Sequence, residues 1–287
     1  MGASRLAGAL TVAWEASLRL DYTREGGRSV ARFVHDGPLR ILQSLYPEGD
    51  GVCHNVLVHP PGGLVGGDTL AVRVSGRADS HGLVTTPGAS RFYRSEGAQA
   101  LQDVAIDLLE DARLEWLPLE ALYYGGCLAQ NRLVARLAPG AELLGWDIAA
   151  LGLPQAGQPF ASGSVLQHLE LEGAWLERGR IRADDTRLLD GPLGLAGHRC
   201  LATLFFVAGS DLAKPRRDAL LESARAVIEA HPLKPSCGAT APGPRVVAVR
   251  VLAPLVEPAL HLLKAIRRVW RPLLWDVHGA EPRGWAT

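Results

Sequence analysis

The residues that first suggest chemistry lie in a glycine-rich segment, residues 59–68, with the sequence His-Pro-Pro-Gly-Gly-Leu-Val-Gly-Gly-Asp. It lies between two strand-like runs, 55–58 and 69–74, a placement that suggests a phosphate-binding loop. Such a loop needs Lys and then Ser or Thr after its last glycine, followed by a helix whose N-terminus faces the phosphate. Here Asp68, whose charge repels phosphate, follows the glycines, and the next residues alternate as in a strand. Composition therefore favours a tight connection in which glycine supplies left-handed backbone conformations.

Histidine and cysteine side chains are the next candidates, because both are common metal ligands. Among nine His and four Cys, the closest groupings are Cys53-His54 with His59, and His198 with Cys200. Neither grouping has the spacing of paired C-x-x-C motifs or of H-E-x-x-H. Adjacent side chains on one strand also point to opposite faces, which separates Cys53 from His54. Structural roles are favoured, and no tightly bound cofactor or metal ion is predicted.

Catalysis is only weakly supported by the sequence. It contains no G-x-S-x-G nucleophile elbow, and neither Ser90 nor Cys127 has an identifiable base. Acidic residues that could act as the two carboxylates of a glycosidase are plentiful. Aromatic platforms for a sugar are not evident among seven Trp, five Tyr and five Phe. We expect no catalytic activity; the alternatives are a β-solenoid or β-sandwich carbohydrate-active enzyme, or a module that binds a small ligand.

Composition and charge restrict the class of protein further. The 287 residues are 47% hydrophobic, so a sizeable core is available, and the formal net charge is +0. No basic stretch is interleaved with aromatic residues, as nucleic-acid binding would require. No apolar run approaches the roughly 18 residues of a membrane span. The four cysteines are far apart, which favours reduced thiols over a disulfide framework. We therefore expect a cytoplasmic protein with no nucleic-acid or membrane partner.

Short strands separated by Gly, Pro and Asp are predicted over residues 10–208, beginning with a strand on which Leu10, Val12 and Trp14 share a face. This pattern is typical of a sandwich, a barrel or a solenoid, and no repeat of fixed length chooses among them. There is no low-complexity linker. Residues 1–287 are therefore predicted to form a single domain.

The C-terminal part, about residues 200–275, is predicted to alternate strands and helices. Apolar stripes predict helices at Arg216–Ala230 and Leu255–Trp270, and Pro272 is expected to end or kink the second. Between them, the glycine- and proline-rich stretch 234–244 predicts a loop, and a Val-rich strand follows it.

Several segments together resemble a known family. Residues 59–68 are followed by Thr85–Ser95, with the sequence Thr-Thr-Pro-Gly-Ala-Ser-Arg-Phe-Tyr-Arg-Ser. The pair is similar to two segments of the urease accessory proteins called UreD, or UreH in some organisms. Further similarities are found in Tyr46-Pro47-Glu48, Cys53-His54, Leu114-Glu115-Trp116-Leu117-Pro118, Leu144-Gly145-Trp146-Asp147, Arg271-Pro272-Leu273 and Pro282-Arg283-Gly284-Trp285-Ala286-Thr287. Gly284 stands where Ile is usual, but the order and spacing of the matches make the resemblance specific.

The resemblance implies a mainly β fold, an irregular β-helix-like stack of many short strands with two α-helices near the C-terminus. It also implies a role in urease maturation, as a scaffold or chaperone rather than an enzyme. Its implied partners are the urease apoprotein, UreF and, through UreF, the nickel-carrying GTPase UreG. A transient nickel ion is implied to move through an internal passage. Such an ion is best served by weakly coordinating oxygen atoms, because thiolate and imidazole ligands together would retain it.

Four residues match family positions suited to this passage: Asp68, Ser90, Asp147 and, more loosely, Glu177. Each has a structural alternative. Asp68 could cap its glycine turn, Ser90 could bond its own backbone, Asp147 could hold a turn, and Glu177 could pair with Arg178.

A partner-binding surface is predicted at the C-terminus, where Trp275, Arg283 and Trp285 occur together. Trp and Arg are enriched among the anchors of protein interfaces. Both tryptophans lie beyond the predicted end of the helix, so its apolar stripe does not explain them. Docking of Trp285 against the chain's own body is the alternative.

Overall fold

β-Strands make up most of the regular structure in the computed structural model, which describes residues 13–279 and 281–285. In chain order, the strands of these ranges are β1 (Glu15–Glu25), β2 (Arg28–Asp36), β3 (Arg40–Leu45), β4 (Cys53–Val58), β5 (Thr69–Gly76), β6 (His81–Thr85), β7 (Ser90–Phe92), β8 (Ala100–Leu108), β9 (Arg113–Leu117), β10 (Ala121–Tyr123), β11 (Cys127–Leu137), β12 (Glu142–Leu153), β13 (Gln158–Pro159), β14 (Gly163–Leu171), β15 (Trp175–Arg182), β16 (Cys200–Ala208), β17 (Cys237–Gly243) and β18 (Val246–Ala253). The mainly β prediction is confirmed. Leu10 and Val12, predicted in the first strand, lie outside the described residues.

The strands form two sheets, and the chain crosses repeatedly between them. The first sheet has the spatial order β15-β14-β11-β8-β5-β1-β2. The second has the order β17-β18-β16-β12-β9-β6-β4-β3, with β10 and β13 also paired to β12, and β7 paired to β10. Neighbours are parallel from β1 through β5, β8 and β11 to β14, and from β4 through β6 and β9 to β12. Parallel pairing requires a crossover for each strand, and the alternation of crossovers builds the predicted β-helix-like stack.

The space between the two sheets is filled mainly by apolar side chains. In β5, the buried residues Leu70, Val72 and Val74 alternate with more exposed ones, because successive side chains of a strand point to opposite faces. The same inner face carries polar side chains on two neighbouring strands, Gln102 on β8 and Asn131 on β11, which are opposite each other in register. The interior is therefore not uniformly apolar.

Two long helices cover the other face of the second sheet. They are α2 (Lys214–Glu229) and α3 (Val256–Trp275), and a short α1 (Thr186–Asp190) precedes them. The two predicted helices are confirmed with shifted ends, whereas α1 was not predicted. A second apolar core joins the helices to this sheet. None of the helices in the described ranges combines the length and apolar character needed to cross a membrane.

Pro272 does not end the last helix, as one of the two predicted outcomes required, because α3 continues to Trp275. A proline removes one backbone hydrogen bond from a helix, but side chains hold the last turn here. The buried Trp275 donates its Nε1–H to Glu142 at 2.6 Å. Arg216 donates to the carbonyl oxygen of Leu274 at 3.0 Å. Tertiary contacts therefore outweigh the local break.

The predicted loop at 234–244 is also wrong over most of its length, because Cys237–Gly243 forms β17. This strand pairs antiparallel with β18, with an irregular register between Thr240 and Gly243. It is an edge strand, a position that tolerates Pro242 because its other side has no partner strand. The glycine and proline content of residues 234–244 therefore belongs to an edge strand and not to a loop.

Candidate functional site

Two cavities lie next to each other between the sheets. The first has a volume of about 220 Å³ and the second about 260 Å³. Four of the lining residues are common to both cavities: Gln102 and Val104 from β8, Trp116 from β9, and Pro118 just after it. Because the two cavities share these residues, they adjoin. Because the residues come from both sheets, the cavities lie inside the stack.

Ser90, the first residue of β7, lines the first cavity together with His59 and Thr86. The Ser90 backbone N–H donates to the carbonyl oxygen of Glu120 at 2.9 Å. Its hydroxyl makes no hydrogen bond within the ranges that the structure describes. The predicted site residue Ser90 therefore lies on a cavity wall.

The glycine-rich segment and the segment that contains Ser90 pair directly with each other. The Leu64 N–H donates to the Arg91 carbonyl oxygen at 2.7 Å, and the Tyr93 N–H donates to the Leu64 carbonyl oxygen at 2.9 Å. A Cβ atom on Gly63 would overlap the Tyr93 ring. Close approach of the two segments thus requires glycine at position 63, whereas the predicted left-handed backbone occurs at Gly62 and Gly67.

Asp68 lines neither cavity and caps the end of the glycine-rich segment. Its Oδ1 accepts the Trp14 N–H at 2.9 Å, and its Oδ2 accepts the Val65 N–H at 2.9 Å. Burial lowers the pKa of the cavity-lining His59, and the charge of Asp68 opposes that lowering. The contacts of Asp68 are those of a residue that caps its glycine turn, which is the alternative given above. Its charge still acts on His59 at the wall of the first cavity.

Asp147 lines the second cavity from the middle of β12. Its Oδ1 accepts a hydrogen bond from Asn131 Nδ2 at 2.8 Å, and its Oδ2 accepts one from Gln167 Nε2 at 2.9 Å. Burial raises the pKa of Asp147 to about 6; the charge of Glu177 also raises it, while the two amides oppose the change. A carboxyl group that titrates near neutral pH can release its proton when a cation binds.

The amide partners of Asp147 belong to one row of side chains, formed by Gln102, Asn131 and Gln167. These residues lie opposite one another on the parallel strands β8, β11 and β14. Gln102 Nε2 donates to Asn131 Oδ1 at 3.2 Å, so the row is linked. We call this set the amide row. Sequence reasoning missed it, because the register between strands about thirty residues apart leaves no local signal.

Glu177 lines the same cavity from β15. Both of its carboxylate oxygens accept hydrogen bonds from Arg250 of β18, so its partner is not Arg178. The guanidinium of Arg250 also lies over the Trp175 ring, 5.4 Å from the centroid. The Glu177 and Arg250 side chains are 34% and 40% exposed. This ion pair therefore joins the two sheets where the cavity approaches solvent.

Other family-like segments meet on the opposite face of the second sheet, under α3. Glu115 is fully buried and contacts Arg267 at 2.7 Å and Arg271 at 3.0 Å. Glu48 contacts Arg271 at 2.7 Å and His54 at 2.6 Å. Burial acts to raise the pKa of Glu115, but the charges of Arg267 and Arg271 hold it well below its usual range. We call these five residues the buried ion cluster; it attaches α3 to the sheet.

The C-terminal candidates Trp275, Arg283 and Trp285 differ in their exposure. Trp275 and Trp285 are each 7% exposed, whereas Arg283 is exposed. Trp285 donates its Nε1–H to Thr85 Oγ1 at 2.8 Å, and its ring packs 4.9 Å from that of Trp146. Both tryptophans are thus packed within the chain's own body, which is the alternative given above for Trp285.

The described residues contain no group of three or more His, Cys, Asp or Glu side chains placed to hold a metal ion. All four cysteines are free, and burial raises the pKa of Cys127 and Cys200 to about 12. Neither of these two is poised as a thiolate at neutral pH.

Comparison with known proteins gives one consistent result. A family model described as UreD urease accessory protein matches residues 15–286. The urease accessory protein UreD of Variovorax paradoxus (strain S110) is 62% identical over 276 residues, 96% of this chain and 100% of that protein. The protein of the same name from Paracidovorax citrulli (strain AAC00-1) is 63% identical over 273 residues, 95% and 99% of the two chains. That of Leptothrix cholodnii is 54% identical over 278 residues, 96% and 100%.

Proposed function

Because the chain belongs to the UreD family of urease accessory proteins, we propose that it delivers nickel during urease maturation as a scaffold without catalysis of its own. In this proposal it binds the urease apoprotein and UreF, and UreF holds the GTPase UreG. A transient nickel ion moves through the interior between the two sheets and on to the urease active site.

The observation that supports this proposal is the pair of adjoining cavities with single oxygen donors on their walls. The Ser90 hydroxyl lies on the first cavity, and the Asp147 and Glu177 carboxylates lie on the second. Asp68 contributes through its charge at His59. Separate oxygen donors bind a borderline cation more weakly than a cluster of thiolates and imidazoles does, and an ion in transit must be released at each step.

Asp147 is the residue on which the proposal depends most. It is held by two amides and lies against the cavity. Since its carboxyl group titrates near pH 6, it can take up a cation at neutral pH at little cost in proton release. We expect substitution here to slow nickel transfer more than it affects folding.

The test is co-expression of urease with UreF, UreG and either the natural chain or Asp147→Asn, followed by measurement of nickel per purified urease. Asp103→Asn is the matched control, because Asp103 lies on the outer face of β8, paired with Arg132 at 2.7 Å. We expect several-fold less nickel with the Asp147 variant and normal loading with the control. Full nickel loading by an Asp147 variant that is folded and bound to UreF would contradict the passage.

The partner surface is proposed to include the exposed Arg283, which follows α3. Arg283→Ala is expected to weaken retention of the chain on immobilised UreF without changing its circular dichroism spectrum. Arg32→Ala, at an exposed position of β2, is the control. Equal retention of the Arg283 variant and the natural chain would remove this residue from the interface.

A further inference from the structure

The residues that the two cavities share include one side chain with an oxygen atom. The four shared residues are Gln102, Val104, Trp116 and Pro118. Only Gln102 among these four has oxygen in its side chain. The Ser90 hydroxyl and the two carboxylates described above each line one cavity and not the other. An ion that crosses from one cavity to the other therefore passes Gln102 between those donors.

The hydrogen bonds of the amide row fix the direction in which the Gln102 amide points. An ionised carboxylate can only accept hydrogen bonds, so Asn131 must direct its Nδ2 at Asp147, and the two atoms are 2.8 Å apart. Asn131 Oδ1 is then the group that faces Gln102. Because that oxygen can only accept, Gln102 must donate its Nε2, at 3.2 Å. The charge of Asp147 thus orients both amides in turn.

The Oε1 atom of Gln102 is the end of this row that no hydrogen bond uses. It shares a carbon atom with Nε2, so it points away from Asn131 when Nε2 points toward it. Oε1 accepts no hydrogen bond within the ranges that the structure describes, and the side chain is only partly buried on the walls of the two cavities. The row therefore leaves a carbonyl oxygen free at the junction, and not an N–H group that would repel a cation.

We propose that Gln102 Oε1 is the oxygen ligand that holds the divalent cation as it crosses from one cavity to the other. This inference rests on the proposed function, since it supplies the step between the cavity of Ser90 and the cavity of Asp147. An amide oxygen has a partial negative charge but no net charge, so it binds a cation weakly and releases it. No proton is transferred in this step.

A structural role is the alternative, in which Gln102 only completes the amide row. Two substitutions distinguish the roles, because Gln102→Leu and Gln102→Glu both remove the N–H that Asn131 Oδ1 accepts. Only Gln102→Glu keeps an oxygen acceptor at the end of a side chain of the same length. A structural role predicts equal effects of the two substitutions, whereas a ligand role predicts impaired nickel transfer with leucine alone.

The experiment is co-expression of each variant with urease, UreF and UreG in medium that contains nickel chloride. Nickel per purified urease is measured, and the urea midpoint of each variant in its complex with UreF measures folding. Gln130→Leu is the control, because Gln130 precedes Asn131 on β11, points to the opposite face and lines neither cavity. We expect several-fold less nickel per folded chain with Gln102→Leu. Loading with Gln102→Glu and with the control should be close to that with the natural chain.

The outcomes separate this inference from the proposed function. Normal loading by Gln102→Leu alongside impaired loading by Asp147→Asn would overturn the role of the amide oxygen and leave the passage in place. Normal loading by both of these variants would overturn the passage as well. Equal losses with Gln102→Leu and Gln102→Glu, or a loss only in proportion to folded protein, would assign Gln102 to the amide row alone, and the inference would fail.

Discussion

Removal of one charge from the buried ion cluster is expected to destabilise the fold strongly. In Glu115→Gln, the side chain keeps its shape but loses the charge that faces Arg267 and Arg271. Arg271 retains Glu48 at 2.7 Å. Arg267, which is 2% exposed, retains no ion pair within the described ranges. The variant therefore leaves one guanidinium buried without a counter-charge.

The size of the effect follows from the geometry. Two charges about 4 Å apart at an effective dielectric constant of about 20 attract each other by about 4 kcal/mol. In the intact cluster, the cost of removing both charges from water offsets much of this attraction. When the carboxylate is lost, the cost of keeping the guanidinium out of water remains without any attraction to offset it. Breaking a buried pair typically costs about 3–5 kcal/mol. That is a large fraction of the roughly 5–15 kcal/mol that stabilises an ordinary folded protein.

Urea unfolding followed by circular dichroism measures this difference, with Asp103→Asn as the control. Asp103 pairs with Arg73 and Arg132, whose side chains are 46% and 35% exposed. Partly exposed pairs of this kind contribute about 0–1 kcal/mol. We therefore expect the Glu115 variant to lose at least about 2 kcal/mol more than the control.

The loss should also depend on pH. The pKa of Glu115 is lower in the folded chain than the roughly 4.3 of an unfolded glutamate. Its ionisation therefore stabilises the fold above that value, and the contribution is lost as pH falls below it. The stability gap between the natural chain and Glu115→Gln should be widest above about pH 5 and should shrink below about pH 4. A gap under about 1 kcal/mol at pH 7, or one that widens in acid, would refute the reasoning.

Three further perturbations address other parts of the fold. Because burial raises the folded pKa of Asp147 to about 6, its ionisation costs stability as pH rises through that value. Asp147→Asn should therefore gain up to about 3 kcal/mol relative to the natural chain between pH 4 and pH 8 in urea titrations. Trp285→Ala should cost about 3–5 kcal/mol in the same assay, because a buried indole leaves a cavity; a loss below about 1 kcal/mol would show that the tail is not packed. Gly63→Ala should lower the thermal midpoint because its methyl group meets the Tyr93 ring, whereas Gly88→Ala, with open space around it, should not. Equal midpoints would contradict the close approach.

Local patterns were sufficient for the two long helices and for a β-rich class, whereas the β-helix-like stack was predicted only through the resemblance to a family. The apolar stripe that contains Leu262, Ile266 and Trp270 predicted α3, and these residues are buried against the second sheet. Alternation and turn residues predicted many short strands. They failed at Pro272 and Pro242, because both prolines were treated as local breaks. Side-chain contacts hold the helix at the first, and an edge position accommodates the second.

The candidate site depended on the resemblance to a family. Asp147 has no local feature that distinguishes it from other acidic residues, and it was found only through its Trp-Asp segment. Asn131 and Gln167 escaped notice because the register of the strands brings them to Asp147. Pairing of parallel strands over long separations is set by the whole stack and cannot be found in any short stretch. The single-domain organisation and the site roles remain predictions.

The buried ion cluster has a consequence for synthesis of the chain on the ribosome. Glu115 precedes its partner Arg267 by 152 residues, an interval of roughly 8–30 s at about 5–20 residues per second. During that interval the strands β10 to β18 are still being added, the carboxylates of Glu48 and Glu115 lack Arg267 and Arg271, and the outer apolar face of the second sheet lacks α3. A nascent chain in this state exposes an adhesive surface. A chain that stops short of Arg271 keeps that surface permanently, so a late nonsense mutation should yield aggregated protein and not a shortened scaffold.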